Sequence, residues 1–211
     1  MFTGIITAIG NITEIKPKPQ GGVRFVLGIE TQPPPPNVTK FKTGNSLACN
    51  GICFTLAETS TLALTMDVSP ETLAVTTAST WQVGQAINLE SALTLGDPLG
   101  GHFVTGHVDG VGEVIAINQH GDNWQLTCQA PQALAPFIAQ KGSVAMDGVS
   151  LTINNVEDLP QGEVAFQVML IPHTWQNTIA RDYTQGSRVN LEADLLARYV
   201  LGANRHKSKR D

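Results

Sequence analysis

Cysteine is scarce in this chain: there are three in 211 residues, and Cys49, Cys53 and Cys128 lack the spacing of a disulfide framework. The first residues, "MFTGIITAIGNITEI", hold neither a basic stretch nor a long apolar core, and no apolar run approaches the roughly 20 residues that span a bilayer. The expectation is a soluble, cytoplasmic protein with reduced thiols and no membrane partner. Positive charge is also in short supply. Thirteen Lys and Arg against 18 Asp and Glu leave a formal net charge of −5, which gives no case for nucleic acid as a partner. The one basic cluster, Arg205, Lys207, Lys209 and Arg210, reads as a solvated terminus. No GxGxxG, P-loop, HExxH or GxSxG pattern occurs, so the chain offers none of the sites those patterns build.

What the chain has is glycine (20) and proline (12) among frequent Thr and Val, a mix that favours short strands and tight turns over long helices. It also has itself twice. "FTGIITAIGNI" (2–12) matches "VTGHVDGVGEV" (104–114), and "SLACNGICFTL" (46–56) matches "SVAMDGVSLTI" (143–153). "LALTMDVSPETLAVTT" (62–77) matches "VAFQVMLIPHTWQNTI" (164–179), and "VGQAINLE" (83–90) matches "QGSRVNLE" (185–192). Four blocks in one order identify a tandem duplication with its boundary near residues 95–103.

Each repeat reads mostly as strand. Leu62, Leu64, Met66 and Val68 alternate with small or polar residues, as do Val164, Phe166, Val168 and Leu170, so each segment buries one face. Strands are also expected over 1–9, 23–30, 45–50, 52–58 and 86–91 and their counterparts, with a short helix after each of Pro70 and Pro172. About six short strands per repeat suit a small closed barrel, because closure removes exposed edges. "TQPPPPN" (31–37) is expected to be an extended loop, and "PQALAPFIAQKG" could hold a short helix. The fold is therefore expected to be all-β: two similar barrels, 1–97 and 98–193, followed by a helix and basic tail over 194–211. The apolar stripe Leu195, Leu196, Tyr199 and Val200 of that helix either packs on its own barrel or meets other subunits.

Chemistry concentrates in few places. "GGHFVTGHVDG" (100–110) brings His102, His107 and Asp109 among glycines that let a backbone approach a ligand, but a five-residue histidine spacing on a strand makes a poor metal site. No metal is expected. Cys53 falls where the second repeat has Ser150, so the position keeps a polar γ atom in both copies. Thr55 and Thr152, two residues on, share a strand face with them. Asp194 suits an N-cap of the terminal helix. A duplicated pocket suits a ligand with twofold character or two copies of one ligand, and two pockets alike in wall but unlike in reactive group can make one copy the donor and the other the acceptor.

The stretches "MFTGI", "NGICFT", "MDVSPETL", "INLESAL", "GGHFVTGHVDG", "MDGVSLTI", "IPHT" and "VNLEADLLARYV" resemble riboflavin synthase of the alpha-subunit type, colinearly from residue 1 to about 202. The resemblance implies two six-stranded Greek-key barrels and a C-terminal helix through which three chains associate. It implies dismutation of two 6,7-dimethyl-8-ribityllumazine molecules to riboflavin and 5-amino-6-(D-ribitylamino)uracil by transfer of a four-carbon unit. No cofactor is needed, and the active site forms between barrels of neighbouring subunits of a homotrimer. Carried over by position, Gly4, Ile5, Ile6, Cys53, Phe54, Thr55, Asp67, Val68, Ser69, Pro70, Glu71 and Thr72 line the first pocket. Gly106, His107, Val108, Lys141, Ser150, Leu151, Thr152, Met169, Leu170, Ile171, Pro172, His173 and Thr174 line the second. Ser46, Cys53, His107, Ser150 and Asp194 match the family's candidate catalytic residues. Cys49, Ser91, Ala74, Val75 and the proline run depart from the family pattern without touching those groups. A non-catalytic lumazine- or flavin-binding antenna protein is the alternative reading, and a flavin reductase would need a nucleotide-binding domain for which the length leaves no room.

Overall fold

A computed structural model describes residues 1–29, 41–60 and 63–207, with side chains of the last helix described as far as Ala203. The proline run lies outside the described residues, as do Leu62 and Lys209 and Arg210 of the basic cluster, whereas Arg205 and Lys207 belong to the last helix. The first repeat contributes β1 (Ala8–Pro17), β2 (Val23–Ile29), β3 (Ser46–Cys49), β4 (Ile52–Thr59), β5 (Ala63–Val68), α1 (Pro70–Val75) and β6 (Ala86–Ser91). The second contributes β7 (Gly110–His120), β8 (Asn123–Ala130), β9 (Ser143–Met146), β10 (Val149–Asp158), β11 (Val164–Leu170), α2 (Pro172–Asn177) and β12 (Arg188–Ala193). A last helix, α3 (Leu195–Lys207), follows.

Both repeats close into antiparallel barrels with the same strand order: β1-β2-β5-β4-β3-β6 and β7-β8-β11-β10-β9-β12. Closure needs sharp bends, and irregularities in the pairing stand at matched places: Ile12/Glu14 and Val114/Ala116, then Leu56/Glu58 and Ile153/Asn155. The tight β3–β4 and β9–β10 turns are Asn50-Gly51 and Asp147-Gly148, with positive φ at all four residues, the two-residue hairpin for which Asn-Gly and Asp-Gly are suited. Each barrel is filled by its own side chains, including Phe25, Leu47, Leu56 and Leu89 in the first and Leu126, Ile153, Phe166 and Leu191 in the second.

The expected strand over residues 1–9 is corrected. Regular pairing begins only at Ala8, because Gly4 has a φ of 76° and its neighbourhood is tied elsewhere. Residues 1–7 form a strap that pairs with the equivalent segment of the second repeat through Phe2 and Val104, which exchange backbone hydrogen bonds of 2.7 and 3.1 Å. Phe2, Val104, Ala48 and Ala145 make a small separate core between the barrels. The stretch 131–142 contains only a single turn of 3-10 helix, Ala135–Phe137.

Hydrogen bonds at this joint are reciprocal. Asn88 donates its side-chain amide to the Asp147 carbonyl (3.0 Å) and accepts from Ile179 N, while Asn190 donates to the Asn50 carbonyl (2.9 Å) and accepts from Thr77 N. Each asparagine thus bonds the other repeat with both ends of its amide, and both are buried. The barrels are related by an approximate twofold arrangement that the shared sequence dictates.

Candidate active site

In β4 and β10 the residues at 52, 54 and 56, and at 149, 151 and 153, point into the barrels, so Cys53 and Thr55, and Ser150 and Thr152, stand on the outer faces. Ser46 is paired with Thr55 across the β3–β4 hairpin and shares that face. The expected matching of Thr with the reactive position is therefore present in both repeats.

β4 joins β5 only from Leu56 onward, and β10 joins β11 only from Ile153, leaving the edge beside Cys53 and Ser150 open. The straps fill these edges crosswise. Cys53 N donates to the Gly106 carbonyl and Ser150 N to the Gly4 carbonyl, both at 2.8 Å. Ile6 packs against the second core and Val108 against the first. The expected grouping is accordingly reversed: Gly4, Ile5 and Ile6 belong with Ser150, and Gly106, His107 and Val108 belong with Cys53. Sequence order put each strap with its own repeat, whereas the backbone hydrogen-bonding edges put it with the other.

Glycine is required at these crossings. A Cβ on Gly106 would lie 2.5 Å from the Cys53 Cβ, and one on Gly4 2.5 Å from the Ser150 Cβ, with φ positive at both. Gly101 is held as tightly, 2.2 Å from the Thr3 carbonyl and 2.7 Å from the Ser150 Oγ by the same measure.

The two walls differ chemically. Ser150 Oγ lies 2.7 Å from His102 Nδ1, and the donor is set by the imidazole tautomer. Burial pushes the His102 imidazole below its ordinary range, with the nearby Asp194 charge opposing. A neutral ring near pH 7 follows. Its Nε2 is buried and has no hydrogen-bond partner among the described residues. Among the described residues, Cys53 has no histidine hydrogen-bonded to it as Ser150 has. Instead, the second strap gives that wall His107, which is exposed and whose N donates to Thr105 Oγ1 at 3.2 Å. His102 was not among the residues singled out as catalytic. The glycine pair before it is the signal, since Gly101 is what lets its neighbour approach Ser150.

The remaining expected residues fall in several settings. Phe54, Val68, Leu151 and Leu170 are buried in the cores, so they present backbone to the walls. Asp67 is exposed and held by Arg24 through two hydrogen bonds of 2.7 and 2.9 Å, with Lys18 at 2.9 Å; these cations keep its carboxyl well below the usual range. Ser69 caps α1, accepting from Thr72 N at 3.1 Å, with Pro70 and Glu71 in the first turn. Ile171, Pro172, His173 and Thr174 begin α2, which has no such side-chain cap, and Met169 precedes them on β11. Lys141 is exposed at a positive φ of 67°. Asp194 accepts from Leu196 N at 2.9 Å, the expected N-cap of α3. Among the described residues, no three His, Cys, Asp or Glu side chains converge as a metal site would require.

The family model described as the lumazine binding domain matches twice, at residues 3–92 and 105–194. A riboflavin synthase of Brucella abortus (strain 2308) is 46% identical over 205 residues, covering 95% of this chain and 96% of that protein. The chain belongs to the riboflavin synthase family. The Bacillus subtilis (strain 168) riboflavin synthase is 36% identical, with 95% of this chain and 88% of that protein covered. A solved structure of LumP complexed with riboflavin superimposes with a TM-score of 0.80 at 23% identity, covering 92% of this chain and 99% of that one, which establishes the shared fold.

Proposed function

We propose that this member of the riboflavin synthase family catalyses the dismutation of two 6,7-dimethyl-8-ribityllumazine molecules. One passes a four-carbon unit to the other, giving riboflavin and 5-amino-6-(D-ribitylamino)uracil. The observation that carries the reading is the duplicated wall with unlike reactive groups, Cys53 in one copy and Ser150 with His102 in the other. Full-length likeness to riboflavin synthases supports it.

Cys53, with Thr55, Ser46, Gly106, His107 and Val108, forms one lumazine-binding wall. Ser150, with Thr152, Gly4, Ile5, Ile6 and His102, forms the other. The α1 and α2 starts, Asp67–Thr72 and Met169–Thr174, offer backbone groups to the pyrimidine edges, and Lys141 and the hydroxyls serve the ribityl chains. The C7 methyl of a lumazine is acidic because its carbanion delocalises into the carbonyl-bearing ring. His107 is the base or proton relay, and Cys53 polarises or attacks C7 of the acceptor. Holding both reactants in register removes roughly 7–11 kcal/mol from a bimolecular barrier. Two walls from different subunits of a homotrimer, joined through α3, face each other across the stacked pair. Asp194 acts beside His102 while it caps α3.

Incubation with the ribityl lumazine, followed by absorbance for riboflavin, tests the proposal. Turnover is expected; tight binding without riboflavin formation overturns it in favour of an antenna-type binder. Within that assay His107→Gln and Cys53→Ser are each expected to lower turnover at least about a hundredfold, the low end for a positioned acid or base. Near wild-type rates in both would leave reactant stacking as the main effect.

A further inference from the structure

The groups that hold the straps are two carboxylates with no part in the chemistry above. Glu90, on β6, accepts from Thr3 N (2.6 Å), Thr3 Oγ1 (2.6 Å) and Gly4 N (3.0 Å). Glu192, on β12, accepts from Thr105 N (2.6 Å), Thr105 Oγ1 (2.7 Å) and Gly106 N (2.9 Å). Their residues are 4% and 3% exposed. Burying a carboxylate is costly unless its oxygens are satisfied, and both have the same three donors. A structural purpose alone would not require those donors to come from the segment that meets the opposite barrel.

The geometry points to Glu90 and Glu192 as crossed positioning residues: each carboxylate clamps the strap of its own repeat and thereby sets the reactive side chain of the other barrel. Glu192 fixes the Thr105-Gly106 amides, the Gly106 carbonyl receives Cys53 N, and the glycine Cα lies against the Cys53 Cβ. Glu90 fixes the Thr3-Gly4 amides, and the Gly4 carbonyl receives Ser150 N. His102 N also donates to the Thr3 carbonyl at 3.2 Å, so the Glu90 clamp reaches the Ser150–His102 pair by two routes. The second strap carries His107 as well, one residue beyond the clamped amides. Neither carboxylate touches a reacting group directly. Glutamine is a poor substitute, since one of its two ends donates and would oppose a backbone N–H.

The consequence for turnover rests on the proposed function, but the positioning does not, and it is read without substrate. Hydrogen exchange of the Cys53 and Ser150 amides is measured in the full chain for Glu192→Gln and Glu90→Gln. Expected is about tenfold faster exchange at Cys53 in Glu192→Gln and at Ser150 in Glu90→Gln, the scale of one lost charge-assisted hydrogen bond, with the other amide within about twofold. Alkylation by iodoacetamide gives a second readout, because Cys49 and Cys128 are buried and Cys53 is not fully so. Its rate should rise in Glu192→Gln and stay unchanged in Glu90→Gln. Should either variant fail to fold, Thr105→Val and Thr3→Val, each removing one hydroxyl donor, carry the same comparison. Equal changes at both amides in both variants, faster exchange at the amide of the same repeat, or no change at either would overturn the crossing. Loss of turnover without crossed exchange would count against the clamp and leave the proposed reaction standing.

Discussion

Asp147 is where one substitution between the repeats has the clearest energetic consequence. Its counterpart is Asn50, in the same left-handed turn. Asp147 is buried, with Oδ1 accepting from Asn190 N (2.8 Å) and Oδ2 from Tyr183 OH (2.7 Å), yet loss of solvation pushes its carboxyl up from 3.8 to about 7. The folded protein therefore holds this proton more tightly than the unfolded chain does. Its contribution is full below about pH 4 and is lost as pH rises through about 7, a swing of roughly 4 kcal/mol at most. Asp147→Asn is expected to flatten the stability profile between those values and to raise the melting temperature at pH 8. Denaturation followed at a series of pH values checks it, and an unchanged slope would show that the carboxylate is stabilised by its two donors. Asp67 runs the other way: depressed by Arg24 and Lys18, its contribution is present above its ordinary range and lost as pH falls, but its exposure keeps that term small. Gly101→Ala should be damaging despite the surface position, since the added methyl meets the Thr3 carbonyl and Ser150. Loss of turnover with the melting temperature largely retained is the expected pattern.

At the level of elements, α3 is held at its start and open along its length. Arg198 pairs with Asp109 and lies over the Phe137 ring, 5.8 Å from its centroid, while Asp109 also accepts from Ala193 N. Leu196, Tyr199 and Val200 remain exposed, at 66%, 70% and 61%. These three residues of the apolar stripe are thus not covered by their own barrel. Tyr199→Glu is expected to leave each barrel folded and to lower the assembly mass measured by light scattering; an unchanged mass would remove α3 from the proposed trimer. Barrel strands were legible because alternating burial leaves a period of two in the sequence, as in Val164–Leu170. The straps were not. "FTGI" and "VTGH" have strand-like composition, and nothing local reveals that Glu90 and Glu192, 86 residues further on, hold the Gly4 and Gly106 amides. A signal for the clamps did exist in the repeat alignment, which matches Thr3-Gly4 with Thr105-Gly106 and Glu90 with Glu192 at one common offset. The reactive pairs were half legible for the same reason: Cys53 against Ser150 is a sequence comparison, whereas His102 beside Ser150 is a contact between distant segments.

For the whole molecule, the repeats share one joint as well as two cores. Phe2, fully buried, fills the space between Ala48, Val104 and Ala145. Phe2→Ala is expected to cost about 3–5 kcal/mol, the usual range for a buried aromatic, and to loosen the barrels from one another before either unfolds. Limited proteolysis near residues 93–103, compared with the global melting temperature, distinguishes the two effects. Asn190→Ala should act in the same direction, stranding Thr77 N and the Asn50 carbonyl at about 1–3 kcal/mol each.

The crossed straps also put the order of synthesis to work. Cys53 is made early, but Gly106, against which it rests, comes later, and Glu192, which holds Gly106, comes more than a hundred residues after the thiol. Gly4, made before Ser150, waits for it. A chain emerging from the ribosome folds its first barrel before the wall beside Cys53 can be completed. An unfinished product would therefore carry a barrel without the completed wall beside Cys53, and the Cys53–Gly106 contact becomes a late checkpoint on having made both halves.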